Sequence, residues 1–409
     1  MEVLVDRGAG IDVHKKSVTV CVMTSEGRQV VKTLDRFSTF HSGLVAMREQ
    51  LARRGVTHVA MEATGEYWKP VYEVLEGAFE VLVANAQHVK NVPGRKTDPE
   101  DAAWLARLLR HGLVRASFIP AQPIRDLRDL TRMRRKTIEM GARVENRVQK
   151  VLEACGIKLG SVVSDLFGMT GRAILTELAA NRTDPAALAE LAKGRLKSKK
   201  PELVLSLEGC FSAHDAALLK HQLDLHSQLE QRRAKIQQQL VTMSEPYAGL
   251  ISRLDDIPGI DWDVAIEIIG EIGNDMSPWP DHHHFAAWAG LCPGNHESGG
   301  KRKAVSVRKG NPFLKSILVQ AATTAVRTKG SYYQAKFNRL SKRRGYKRAI
   351  VAIAHSMLVA IYHMIRDDRQ YQELGGDWFQ KRSPESRAKS LMKQLQQLGY
   401  TVELRAIQA

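Results

Sequence analysis

An acid set inside an apolar run is the feature that most constrains this chain. Residues 9–13 read as a short β-strand, yet Asp12 interrupts it. A charge in such a place is costly unless it is paired or bound to a cation. Residues 18–23 and 29–34 read as two further strands joined by a Ser25-Glu26-Gly27 turn, and a helical pattern covers 39–54. A strand at 58–62, a helix at 66–75, a strand at 79–84 and a helix at 98–109 follow. Three hairpin-like strands and then β/α alternation predict a mixed sheet with helices on both faces.

The rest of the chain reads as helical. Residues 124–152 form one long Arg-rich stretch with little Gly, and 213–243 form another. In the second, Leu225, Leu229, Ile236, Leu240 and Met243 follow an approximate heptad, with Arg232 in one seam position. Two such helices predict an antiparallel coiled-coil arm or a dimerisation element. Shorter helical pieces and a basic linker, residues 193–200, lie between them. A compact helical region begins near Leu254, and its Ile257-Pro258-Gly259-Ile260 turn is of the helix-hairpin-helix kind that can offer backbone N–H groups to phosphate. The expected division is 1–118, 119–250, 251–370 and a charged helical tail, 371–409.

Charge narrows the partners. Lys and Arg number 61 against 44 for Asp and Glu, a net charge of +17, which favours a polyanion. Four widely spaced cysteines without a CxxC pair fit reduced thiols in a cytoplasmic protein better than disulfides or zinc ligands. The start of the chain has no basic segment followed by an apolar run, so no secretory signal is expected. Residues 349–365 are apolar but short for a span and contain His355, Ser356 and His363, so a buried core helix is expected and no membrane partner.

The acids come in short signatures. Glu62 ends the apolar run Val59-Ala60-Met61, much as Asp12 sits in its own strand. If the two strands are neighbours, both carboxylates lie at one end of the sheet, where open α/β sheets bind ligands. Asp98 and Asp101, three apart at a helix start, share a face. Four converging carboxylates form a hard oxygen cage suited to Mg²⁺ or Mn²⁺. The ordinary alternatives stand beside this: Asp98 before Pro99 is a good N-cap and Asp101 suits a first turn.

Ser298 lies in Glu297-Ser298-Gly299-Gly300, followed by Lys301, Arg302, Lys303, Arg308 and Lys309. A serine hydroxyl can attack a phosphodiester when its proton is removed and cations stabilise the developing charge. Chemistry alone favours a plainer phosphate-gripping turn, because Ser-Gly pairs are common turn material. Arg132, Arg134 and Arg135 would either line a phosphate track or solvate a helix. Arg343 and Arg344, in a basic run, are candidates for contacts to a nucleic-acid backbone. His282-His283-His284 lack helical ligand spacing, so a solvated loop is expected there.

Taken together, Gly10-Ile11-Asp12-Val13-His14, Met61-Glu62-Ala63-Thr64-Gly65, Lys96-Thr97-Asp98 with Asp101-Ala102, Ile257-Pro258-Gly259-Ile260, Trp288-Ala289-Gly290-Leu291-Cys292-Pro293 and Ser298-Gly299-Gly300 with Gly310-Asn311 resemble, in order and spacing, the DEDD-type insertion-sequence transposases, the bridge-RNA-guided recombinases. The resemblance implies a ribonuclease-H/RuvC-like N-terminal domain, with which the strand pattern is compatible, a helical coiled-coil arm and a small C-terminal helical domain. It implies that Asp12, Glu62, Asp98 and Asp101 bind divalent metal and that Ser298 is a nucleophile, reversing the reading from chemistry alone. It also implies donor and target DNA, a structured guide RNA, and a homo-oligomer, dimer or tetramer, in which one protomer's serine completes another's metal site. A RuvC-like nuclease using metal-activated water, and a non-catalytic nucleic-acid-binding protein, are the competing expectations.

Overall fold

Strand β1 (Arg7–Val13) sits at the centre of a five-stranded sheet. It pairs antiparallel with β2 (Ser17–Glu26), which pairs antiparallel with β3 (Gln29–Ser38). On its other side it runs parallel to β4 (His58–Glu62), which runs parallel to β5 (Glu80–Ala84). The order is thus β3-β2-β1-β4-β5. The computed structural model describes residues 3–26, 29–63, 65–85, 101–294, 297–298, 301–302, 307–381 and 384–403, and the chain divides into two units, Met1–Ile119 and Pro120–Ala409.

In the first unit the two faces of the sheet are covered differently. Ile11, Val13, Val20, Val59 and Met61 point to one side and form the main core with Leu44, Met47 and Leu51 of α1 (His41–Arg53) and Val71 and Leu75 of α2 (Trp68–Leu75). Cys21 and Met23 point to the other side and pack on Ala102, Ala103 and Ala106 of α3 (Asp101–Arg110). Period-two alternation sorts these residues without further help. Helix α3 lies so close on β1 that Gly10 has no room for a side chain. A Cβ on Gly10 would lie 2.1 Å from the Ala102 carbonyl oxygen and 2.3 Å from the Ala106 nitrogen.

The second unit is helical apart from one short hairpin. Helix α4 (Gln122–Ala154) starts with Pro at its first turn and packs along α9 (Ala213–Ser244), which opens on a capping box between Ser212 and Asp215. His226 meets Glu145, while Gln237 meets Arg134, so the pair is antiparallel. Four short helices, α5 (Leu159–Val162), α6 (Met169–Ala179), α7 (Pro185–Ala189) and α8 (Lys200–Leu207), form their own core at the far end of the pair, around Ile174, Leu175, Leu203 and Leu207. The basic linker is a 3-10 turn, Gly194–Lys199.

The seam of the long pair differs from the expected one. Leu229, Ile236 and Leu240 are buried, but His226 takes the buried position in place of Leu225, and Arg232 is exposed. His226 can be buried because its ring stacks 4.1 Å from Phe167 and its Nε2 lies 3.1 Å from Glu145.

Helices α10 (Ala248–Asp255) and α11 (Trp262–Ile272) are joined by the Pro258-Gly259 turn. Gly259 has φ +85°, and a Cβ there would come within 2.4 Å of the Ala321 carbonyl oxygen, so this turn packs against α13 (Pro312–Ala325). The amides of Ile257 and Ile260 donate to Leu254 and Ile257 carbonyls. Helix α12 (His282–Trp288) comes before α13, and α14 (Tyr332–Arg344), α15 (Tyr346–Arg366), α16 (Trp378–Lys381) and α17 (Pro384–Gln397) complete the chain. Among the described residues α15 is the one helix long and apolar enough to cross a membrane. Its Ile353, Met357, Leu358 and Ile361 are fully buried, and it packs on α12, α13 and α14.

Candidate active site

The carboxylates are placed by strand register. Gly10 lies opposite Ala60 and Ile11 opposite Met61 on the parallel pair β1 and β4. Asp12 and Glu62 are each the next residue, at the carboxyl ends of adjacent strands. Both share the alternation of Gly10 and Ala60, so both rise from the face covered by α3. Gly8 contacts Leu109 and Gly10 contacts Ala102 and Ala106, so α3 runs antiparallel to β1. Its first residue, Asp101, therefore starts at the end of the sheet where Asp12 and Glu62 stand.

Asp12 keeps 24% of its side-chain surface, and its Oδ2 lies 3.0 Å from Nε2 of His14. Glu62 and Asp101 are likewise half-buried. Carboxylates placed at one end and on one face of a sheet are donors of the hard oxygen kind that a divalent cation takes. Asp98 lies outside the described residues. Among the described residues, no group of three or more His, Cys, Asp or Glu side chains is close enough together to hold a metal ion.

Ser298 is at the tip end of a short hairpin. β6 (Glu297–Ser298) pairs antiparallel with β7 (Lys301–Arg302), with Ser298 opposite Lys301. The intervening Gly299 and Gly300, and Lys303, lie outside the described residues. The stem below is fixed by backbone contacts. Pro293 bridges to Val307, Arg308 N donates to Cys292 O at 3.2 Å, and Asn311 N donates to Trp288 O at 3.3 Å. Gly290 and Gly310 cross so closely that a Cβ on Gly310 would lie 2.3 Å from Gly290 N. Asn311 then caps α13, accepting from Phe313 N and Leu314 N. Leu314, Ile317, Leu318 and Ala321 form its buried face. Arg308 and Lys309 are exposed beside the stem.

The phosphate track expected of Arg132, Arg134 and Arg135 is corrected by the structure. Arg134 is 3% exposed and donates to Glu267 at 2.9 Å, to Gln237 at 2.9 Å and to Asp263. Arg132 holds buried Glu271 with two bonds, at 2.8 and 2.9 Å, and its guanidinium also lies over the Phe313 ring at 4.0 Å. Arg135 reaches Ser316 at 2.6 Å and Glu267 at 3.7 Å. Arg128 adds bonds to the Gly270 and Glu271 carbonyls. Burial lowers its affinity for protons, and Glu271 offsets that in part. These arginines lock α4 to α11. The signal was present in the sequence: Asp263, Glu267 and Glu271 recur every four residues, and they meet Arg134, Arg134 with Arg135, and Arg132 with Arg128 respectively.

Arg343 and Arg344 are exposed in the last turn of α14, where cations also suit the helix dipole. The three histidines form the first turn of α12 and not a loop. Asp281 caps that turn by accepting from His284 N and His283 N, and bonds from the His284 amide, the His284 ring and the His283 amide lower its pKa to about 2.

Two family models match the chain. A DEDD transposase model of the IS110 group covers residues 9–157, and a transposase model of the IS116/IS110/IS902 family covers residues 251–338. A "Probable family 20 transposase" of Pseudomonas aeruginosa is 23% identical over 321 residues, 77% of this chain and 85% of that protein. The Sinorhizobium fredii protein y4qE, whose name describes it as a transposase, is 24% identical over 361 residues, 87% of this chain and 81% of its own. A second Sinorhizobium fredii transposase, y4pF/y4sB, is 30% identical over 129 residues, 30% of this chain and 33% of its own. An α/β unit bearing strand-end acids, followed by a helical unit, is here the framework of a DNA-transposing enzyme. The chain belongs to the IS116/IS110/IS902 family of transposases. The DEDD designation points to dependence on divalent metal.

Proposed function

We propose that this transposase cuts and rejoins DNA through Ser298, assisted by divalent metal, Mg²⁺ or Mn²⁺, at Asp12, Glu62, Asp98 and Asp101. The observation that carries the reading is the register that sets Asp12 beside Glu62 on the face where α3 begins at Asp101. The strand order, with three antiparallel strands and two parallel ones, supports a ribonuclease-H/RuvC-like fold for the first unit. When bound, the metal, held by these carboxylates, would supply Lewis-acid stabilisation of charge on a scissile phosphate.

In this reading the Ser298 hydroxyl loses its proton to a base and its Oγ attacks phosphorus. A P–Oγ bond forms, the bond to one deoxyribose oxygen breaks, and that oxygen leaves as a hydroxyl after taking up a proton. A hydroxyl of the partner strand later attacks the same phosphorus and expels serine, so the number of phosphodiester bonds is conserved. Lys301, Arg302, Lys303, Arg308 and Lys309 would neutralise phosphate near the serine, with Arg343 and Arg344 on backbone further off. Residues 1–118 act as the metal-binding nuclease part, 119–250 as a coiled-coil oligomerisation part, 251–370 as the part with the serine and 371–409 as a tail. A structured RNA chooses donor and target, and a cytoplasmic dimer or tetramer joins one protomer's serine to another's acids. The motif resemblance supports these last points.

The test is a denaturing gel of protein incubated with element-end DNA, the cognate non-coding RNA and Mg²⁺. A covalent protein–DNA band is expected, lost in Ser298→Ala and in Asp12→Asn. A band that survives Ser298→Ala would rule out that nucleophile. Cleavage without any band would point to metal-activated water.

A further inference from the structure

A cavity of about 460 Å³ opens in the second unit between α14, α15 and residues 369–374. Lys336 of α14, His355 and His363 of α15, His282 and Arg369 are among the residues that line it, and none of its lining side chains among the described residues is acidic. Lys336 Nζ donates to Ser356 Oγ at 2.6 Å and to Tyr332 Oη at 3.2 Å, and makes no ion pair among the described residues. Ser356 Oγ donates onward to Ala352 O at 2.9 Å, so it offers the ammonium a lone pair. Neither nearby acid is bonded to Lys336. Glu373 accepts from Tyr332 N, Gly375 N and Tyr371 Oη at 2.7, 2.8 and 2.9 Å. Asp367 pairs with Arg366 at 2.7 Å and with two of the lining groups, His363 at 3.1 Å and Arg369 at 4.0 Å, which leaves Lys336 as the lining cation without an acid among the described residues.

Lys336 therefore faces a concave space as a cation with no carboxylate partner among the described residues, and an anion is the group that completes such a site, with the neighbouring imidazoles able to donate N–H bonds. We propose that this cavity binds the phosphate of a nucleotide unit, with Lys336 and His355 on the phosphate and Tyr332 beside the sugar or base. The phosphate site rests on the cavity alone. The choice of a nucleic-acid strand as its source rests on the transposase reading. Pockets of this size hold a small organic ligand with a few placed polar groups, and hydrogen bonds to a charged phosphate are the strong kind. None of these residues belongs to the carboxylate set or to the serine hairpin.

The test uses the full chain and three probes: a labelled 12-nucleotide single strand, dAMP and inorganic phosphate. Lys336→Gln is expected to weaken strand binding by roughly 10- to 100-fold, the range for loss of one charged hydrogen bond, while Lys336→Arg recovers most of it. Thermal unfolding of each variant reports on folding. Asp12→Asn is expected to bind the strand as wild type does even if strand transfer is lost, which separates this proposal from the catalytic one. Displacement of the strand by dAMP and phosphate in wild type, but less so in Lys336→Gln, places the strand phosphate in this cavity. Tight dAMP binding that Lys336→Gln abolishes, with strand binding untouched, would assign the cavity to a free nucleotide and overturn the strand as its source. Equal binding of all three probes by wild type and folded Lys336→Gln would overturn the site.

Discussion

Asn311 donates from Nδ2 to Oε2 of Glu271 at 2.7 Å. That bond joins the residue capping α13 to the acid gripped by Arg128 and Arg132. Glu271 is 1% exposed, so its charge depends entirely on these partners. Glu271→Ala should cost about 3–5 kcal/mol, the usual result of removing one side of a buried ion pair. Urea unfolding of the full chain measures it, and an unchanged midpoint would refute the assignment. Glu271→Gln, which keeps an acceptor for Asn311, should cost less.

The same substitution at two glycines should act with opposite sign. Gly10→Ala drives a methyl to 2.1 Å from the Ala102 carbonyl oxygen, and overpacking of this kind costs about 1–3 kcal/mol or more. Gly141 lies inside α4 with nothing within 4 Å of its would-be Cβ, so Gly141→Ala should stabilise by about 0.5–1 kcal/mol. Melting temperatures of the two variants check both signs. Because α3 must move in Gly10→Ala, strand transfer should fall further than stability alone explains.

Salt should separate the exposed arginines from the buried ones. Arg343→Gln and Arg344→Gln should each lower the slope of log affinity for DNA against log salt by about 1. Arg134→Gln should leave that slope alone and lower the unfolding midpoint, because Arg134 faces Asp263 and Glu267 inside the fold. Anisotropy titrations at several salt concentrations decide it. A slope change in folded Arg134→Gln would restore the phosphate track.

Acid should weaken the second unit. Burial, then Lys336 of α14 and His282 and His283 of α12, lower the proton affinity of His355. Burial, then His283 and His363, lower that of His282, partly offset by Asp281. The fold therefore prefers both rings neutral, and the unfolded chain binds more protons once pH falls below about 6.5. Stability should decline from there to the lower folded value and then level off. Melting curves from about pH 7.5 to 5.5 should show the decline, with a smaller one in His355→Gln. Added phosphate should reduce it if the cavity holds an anion. A flat profile in the wild type would remove the burial argument.

The strand sequence was readable because alternation and punctuation act locally. The strand expected at 58–62 is found at His58–Glu62, and Asn311-Pro312 caps a helix as its chemistry dictates. The seam of the long helix pair was off by one place because His226 is buried by Glu145 and Phe167, neither of them near in sequence. The arginine run looked like a surface track for the same reason, since its acids lie well over a hundred residues away in sequence. Gly10 was legible as part of a motif. Its reason, the backbone of α3 pressed on the sheet, needed the fold.

Cys210 N donates to Cys155 O at 2.8 Å, so the chain leaves α4 and re-enters toward α9 at nearly the same point. Everything from Gly156 to Gly209 is an excursion hung on that junction, with its own core. A tight turn spliced between residues 155 and 210 would close the two long helices into a plain hairpin. The excursion could then be exchanged or trimmed as a cassette, provided the sides of Leu152 and Leu219 that it shelters were given polar cover.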